Sequence, residues 1–163
     1  MIAAHCSSSR PLAIARPALN FSLIESNGKK CAFISRAITD LGLKNATVLP
    51  RRAEEVAGSA LRESFDLALA RAVGSLPEVL EYALPLLKIG GRALLQRGAR
   101  EADDLQSARQ AAAQLGGELE RITEAMPYPE AKNLHVWVFS KVTASQAMYP
   151  RRPGMARKRP LGS

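Results

Sequence analysis

From Phe21 to Leu41 the chain reads FSLIESNGKKCAFISRAITDL, a short apolar strand that ends in a carboxylate and runs straight into an amphipathic helix. Phe21, Leu23 and Ile24 predict a buried strand. Cys31, Ile34, Ile38 and Leu41 then recur at helical spacing on one face. In doubly wound folds, an acid at the carboxyl end of the second parallel strand grips the two hydroxyls of a ribose. Glu25 is placed to be that acid, and an ionised carboxylate makes both hydrogen bonds strong. The other reading is that Glu25 caps the helix or faces water.

The chain has 163 residues, the size of one domain with a real core. Aromatic residues make up only 5% against 47% hydrophobic, so the core is built from Leu, Ile, Val and Ala. That composition suits a sheet covered by helices better than an aromatic-rich sandwich. The two cysteines, Cys6 and Cys31, have no metal-ligand spacing and form no disulfide framework. No metal is expected, and the reducing cytoplasm is the expected compartment. No run approaches the roughly 20 apolar residues of a membrane span. The formal charge of +8 is uneven: from Ala131 onward there are seven basic residues and no acid. A phosphate backbone matches that asymmetry, and a solvated tail explains it as well.

Further strands are expected at Asn45–Leu49, Phe65–Ala70, Arg92–Gln96, Glu118–Ala125 and Leu134–Val142. Gly42 closes the first helix. Ser75 caps a second, whose face carries Leu76, Val79, Leu80, Ala83 and Leu87, with Pro77 tolerated in its first turn. The Gly90–Gly91 pair turns the chain into the Arg92–Gln96 strand, and a third helix carries Leu105, Ala108, Ala112 and Leu115. His135 and Trp137 are read as core residues of the last strand. Alternating strands and helices closed by two successive strands describe a parallel sheet with one antiparallel member. This is the layout of a class I S-adenosylmethionine-dependent methyltransferase, an α/β Rossmann-like fold. A nicotinamide dehydrogenase-like domain competes on topology, but its glycine fingerprint is absent.

Five segments in order, PLAIARP (11–17), LIESNGKKCAFI (23–34), RAEE (52–55), ARAVGSLPEVLEYALPLLKIGGR (70–92) and YPRRPGMARKRPL (149–161), give the chain a specific likeness. It resembles the RsmG family (also called GidB), which methylates guanine N7 in 16S rRNA with S-adenosyl-L-methionine. The resemblance implies that cofactor and that substrate, as 16S rRNA or a small ribosomal subunit precursor; a monomer is expected. It places Glu25, Ser26 and Asn27 at the cofactor ribose, and Ala53 and Glu54 beside the adenine. It sets Arg71 at the mouth of the site, in contact with the cofactor or RNA. Capping is the alternative for Ser26 and Asn27, and a surface ion pair for Arg71. By resemblance and charge together, Arg151, Arg152, Arg157, Lys158 and Arg159 are RNA-backbone contacts. Arg97 and Arg100 extend the basic surface, Lys88 is a solvated helix end, and Tyr149 stacks on a base or packs beside the prolines. Guanine N7 has a free lone pair and no proton, so no general base is required.

The chain departs from the family at its start. Family members carry a strand leading into a loop of the kind D-x-G-S-G-A-G-F-P-G, whereas here MIAAHCSSSR directly precedes PLAIARP and no glycine occurs before Gly28. Residues 1–10 are therefore expected to be anomalous, 11–143 a partial methyltransferase domain without its first strand and glycine-rich loop, and 144–163 a basic tail. A fragment, or a gene with a displaced start, is the expectation. The alternative function is a non-catalytic RNA-binding remnant.

Overall fold

A computed structural model describes residues 1–71, 74–98, 102–126 and 134–162, with backbone alone at 5–10 and 102–104. Its strands and helices alternate: β1 Ile2–His5, α1 Cys6–Ala15, β2 Phe21–Ile24, α2 Gly28–Asp40, β3 Ala46–Leu49, α3 Ala53–Ala57, β4 Phe65–Arg71 and α4 Leu76–Ala83. A 3-10 turn over Leu84–Leu86 leads to β5 Leu87–Arg97, followed by α5 Ala102–Gln114, β6 Gly117–Glu124, β7 His135–Lys141 and the short α6 Met155–Lys158. The strands form one sheet in the order β3-β2-β1-β4-β5-β7-β6. The first five run parallel, and β7 is antiparallel to β5 and β6. Among the described residues no helix is long and apolar enough to cross a membrane.

The expectation of a missing first strand is corrected. Ile2–His5 fills the central slot, pairing with β2 (Ile2 opposite Phe21) and with β4 (Ile2 opposite Leu67). Four residues suffice because β2 is equally short and because alanines at 3 and 4 add little bulk between the helical layers. Alternation then sends Ile2 and Ala4 to the core under α1 and α2, with Phe21, Leu23 and Ile34, and Ala3 to the larger core under α3, α4 and α5. The backbone groups of this strand are met by its neighbours on both sides.

Most other elements fall where the residue pattern puts them. Asn27 caps α2, its side chain accepting from Lys30 N at 3.1 Å, and Gly42 ends the turn at φ +61°. Leu41 lies just past the helix and is exposed rather than on its buried face. Two other expectations fail at one place. Leu87 belongs to β5, not to the face of α4, and the Gly90–Gly91 pair lies inside that strand rather than turning into it. The β4–β5 register shifts there, between Phe65 and Leu67. A Cβ on Gly91 would stand 2.9 Å from the Lys88 carbonyl and 3.2 Å from that of Phe65, so glycine lets the strands close around the irregularity. Lys88 is consequently a strand residue, paired with Asp66 at 3.0 Å. His135 is half-buried at the start of β7, whereas Trp137 is core and stacks with Phe139 at 6.4 Å between ring centroids.

The basic C-terminal segment is tied to the body. Arg62 donates to the carbonyls of Ser145, Gln146 and Tyr149. Lys141, fully buried, donates to the carbonyls of Leu84 (2.9 Å) and Leu115 (3.2 Å) and to Ser145 Oγ, and pairs with Glu63 at 3.3 Å. Burial pulls the Lys141 pKa down while Glu63 opposes that shift. Tyr149 is buried, with its hydroxyl 3.4 Å from Gln114 Oε1, so packing rather than base stacking accounts for it.

Candidate cofactor cleft and RNA-facing surface

Strand order reverses between β1 and β4, and in open α/β sheets ligands bind at such a switch point, beyond the carboxyl ends of the strands. A cleft of about 280 Å³ opens there. Ala3, Ala4 and Ala68–Ala70 line it from the central strands, Glu25 and Ser26 from the end of β2, Arg51–Glu54 from the β3–α3 junction, and Glu78 and Tyr82 from α4. Small side chains on the strands leave the volume, and carboxylates surround it.

Glu25 is 7% exposed and tightly placed. Its amide donates to the Leu49 carbonyl at 3.2 Å, its own carbonyl accepts from the Cys31 thiol at 3.1 Å, and its Oε1 accepts from Asn27 N at 2.9 Å. Lys30 Nζ stands 4.0 Å from Oε2. A carboxylate so oriented retains lone pairs for a diol. Ser26 lines the cleft, whereas Asn27 serves as the α2 cap and is not part of the lining. Ala53 and Glu54 line the opposite wall. Glu54 Oε1 accepts from Gly154 N at 3.0 Å, which fastens the C-terminal segment to the cleft and brings Gly154 and Arg157 into its wall.

The remaining sequence-predicted residues divide. Arg71 ends β4 opposite Gln96, is exposed, and lies outside the cleft lining. Arg151 is drawn away from solvent: its guanidinium is bidentate on the buried Glu81 (Nη2 to Oε2 2.6 Å, Nε to Oε1 2.9 Å) and also donates to the Arg159 carbonyl. That carboxylate raises its pKa further. Arg152, Arg157, Lys158 and Arg159 keep exposed side chains on and around α6. Arg97 donates to the Gly74 carbonyl at 2.5 Å, and Arg100 lies outside the described residues. Sequence reasoning missed Glu78, Tyr82 and Gly154. The i, i+4 spacing of Glu78 and Tyr82 was a usable signal for the first two, but nothing local announces the Gly154–Glu54 contact across a hundred residues.

With this geometry in hand, comparisons with known proteins are informative. The model of the GidB family, described as rRNA small subunit methyltransferase G, matches residues 9–132. The chain is 40% identical over 155 residues to ribosomal RNA small subunit methyltransferase G of Synechococcus sp. (strain JA-3-3Ab), a match covering 93% of the chain and 59% of that relative. With the protein of that name from Roseiflexus sp. (strain RS-1) the identity is 41% over 152 residues, covering 93% and 64%. The chain thus spans about six-tenths of the length of these relatives. Among solved structures, a variant of the 16S rRNA (adenine(1408)-N(1))-methyltransferase from Catenulisporales acidiphilia superposes with a TM-score of 0.67 at 15% identity, covering 89% of the chain and 85% of that one. M. jannaschii TYW2 in complex with AdoMet gives 0.64 at 16% identity, covering 86% and 69%. At such identities the likeness establishes the fold, and it is the class I methyltransferase arrangement expected above.

Proposed function

The chain belongs to the GidB family, rRNA small subunit methyltransferase G, and from that premise we propose that it transfers a methyl group from S-adenosylmethionine to guanine N7 of 16S rRNA. The observation that carries the proposal is the cleft at the switch point, with a buried carboxylate, Glu25, at the end of its second strand. The residues present fit the cofactor. Glu25 accepts from the ribose hydroxyls, Ala53 and Glu54 flank the adenine, and the alanines of β1 and β4 leave room above the strand ends. Bound there, S-adenosylmethionine supplies an activated methyl on a sulfonium.

The protein's own part is positioning. Guanine N7 is a nucleophile without deprotonation, so in-line alignment and exclusion of water are the main requirements. No general base need be found in the cleft. Arg152, Lys158 and Arg159, exposed beside α6, hold RNA phosphates, and Arg71 with Arg157 guides the strand toward the cleft. Arg151 acts from behind them, keeping α6 in place through Glu81.

The test is incubation of the purified chain with labelled S-adenosylmethionine and small subunits lacking the modification. Nuclease digestion should then release labelled 7-methylguanosine. Label in another nucleoside, or none at all, would sink the proposal. One observation favours the second reading, an RNA-binding remnant: β1 passes directly into α1, with no glycine to bring backbone close to a cofactor. Salt-sensitive RNA binding without S-adenosylhomocysteine binding would select it.

A further inference from the structure

Ion pairing is unevenly spread over the surface of this chain. Away from the cleft, exposed cations have acid partners: Arg36 with Asp40, Lys88 with Asp66, and both Arg92 and Arg121 with Glu120. Lys44 and Arg109 are unpaired there, one on the α2–β3 turn and the other on α5. Around the cleft mouth the pattern inverts. Among the described residues, no carboxylate oxygen lies within 4.0 Å of a side-chain nitrogen of Lys29, Arg51 or Arg52. The same holds for the exposed Arg152, Arg157, Lys158 and Arg159. Acids are close by, but they are engaged with backbone. Glu25 holds Asn27 N, Glu54 holds Gly154 N, and Glu55 holds Arg52 N at 3.0 Å.

The fold sets these cations side by side. Strands β2 and β3 pair in register, Ile24 opposite Leu49, so the chain leaves both at one end of the sheet. Lys29 follows β2, in the first turn of α2. Arg51 and Arg52 follow β3, exposed and lining the cleft. Two residues further on, Glu54 binds Gly154 and brings α6, with Arg157, into the same wall. The unpaired cations thus make one rim, from the start of α2 past the β3–α3 junction to α6. Like charges gathered in this way repel one another. Lys29 also stands against the positive end of its helix, in a turn that contains no acid. Helix stability does not account for that placement, whereas an anion running along the rim does.

We infer that Lys29, Arg51 and Arg52 contact RNA phosphates, extending the α6 surface around the cleft mouth. The inference rests on the RNA reading given above and adds a second stretch of backbone contact, on the β2–β3 side. Phosphates repeat along a strand, so cations spread over three elements suit RNA better than one small anion. Such contacts fix the register of the strand over the cleft without reading its bases.

The experiment is fluorescence anisotropy of a labelled single-stranded RNA oligonucleotide with the full chain, repeated over a range of salt. Wild-type affinity should fall as salt rises. Lys29→Ala, Arg51→Ala and Arg52→Ala should each lower the slope of log affinity against log salt by about one. The triple variant should lose correspondingly more. Arg51→Lys should keep the wild-type slope, because the contact depends on charge. Arg52 is the N-cap of α3, so if its removal loosens that helix, Lys29→Ala and Arg51→Ala decide. Unchanged slopes in these variants, with Arg152→Ala still lowering it, overturn the second stretch and leave the α6 surface standing. Loss of S-adenosylhomocysteine affinity with an unchanged RNA slope would assign these residues to the cofactor and overturn the inference too. No salt-sensitive RNA binding by the wild type overturns both.

Discussion

Two single charged residues, Glu25 and Lys141, sit in different environments. Glu25 is fixed by three hydrogen bonds through its backbone and one carboxylate oxygen, so changing it tests recognition more than folding. Glu25→Gln keeps an oxygen for Asn27 N but loses the charge. It should weaken S-adenosylhomocysteine binding by about 1.5–3 kcal/mol, or ten- to a hundredfold, as read by calorimetry. Lys141 is the opposite case, a cation that serves the fold. Four groups converge on it, and replacing it by Met removes a donor from each carbonyl and the charge that faces Glu63. Other donors still serve these groups, so the cost in urea unfolding should be about 1–3 kcal/mol. Its depressed pKa gives a second readout. Between the folded value and the unfolded 10.5, the unfolded chain binds more protons, so stability rises with pH across that interval. Below about pH 10, where phenols begin to ionise, the wild type should gain stability with rising pH relative to Lys141→Met. Parallel pH profiles would show that Lys141 is not held in the fold as its burial implies.

Elements bring such residues together, and two of them do so by unusual means. The first is β5, where Gly91 lets the strand pass its irregularity against β4. Gly91→Ala should cost about 1–3 kcal/mol, the penalty of overpacking, because its contacts are backbone carbonyls that cannot swing away. A thermal midpoint equal to wild type would mean that the two strands can separate freely there. The second is the C-terminal segment, whose charge suits either an RNA contact or a solvated tail and which closes one wall of the cleft. Glu81 is fully buried, so Arg151→Ala leaves an unpaired interior charge and should destabilise the chain by about 3–5 kcal/mol. Arg152→Ala, Lys158→Ala and Arg159→Ala should leave the midpoint unchanged. Each should lower the slope of log affinity for RNA against log salt by about one. That outcome would divide four basic residues of one short stretch between holding the protein and holding RNA.

For the whole molecule, one sheet with a core on each face should unfold as a unit, and the cleft between its central strands reports on that unit. S-adenosylhomocysteine at about 100 times its dissociation constant should add about 2.7 kcal/mol. For a domain of this size, that raises the midpoint by several degrees. A cooperative transition that ligand does not move would favour the RNA-binding remnant over the enzyme. The charge asymmetry also belongs to this scale: a nearly neutral body carries its excess cations beside the cleft mouth, so RNA affinity should fall with salt faster than cofactor affinity does.

Much of this was legible in the residues themselves. Apolar spacing and turn residues located β2, α2, β4, α5 and β7, because those signals are local and are set by backbone geometry and one-sided burial. The ordered segments placed the chain in its family, and the strand end put Glu25 where the cleft lies. The sequence alone could not show that Ile2–His5 is a strand, since four residues of weak pattern become one only when β2 and β4 offer partners on both sides. Nor could it divide the C-terminal cations, because Arg151 differs from Arg152 only in meeting a buried carboxylate seventy residues away. Glu78, Tyr82 and Gly154 join the cleft for the same reason. Local order follows from the energetics of neighbouring residues, whereas these contacts exist only once the sheet has closed and distant segments have been brought within hydrogen-bonding reach.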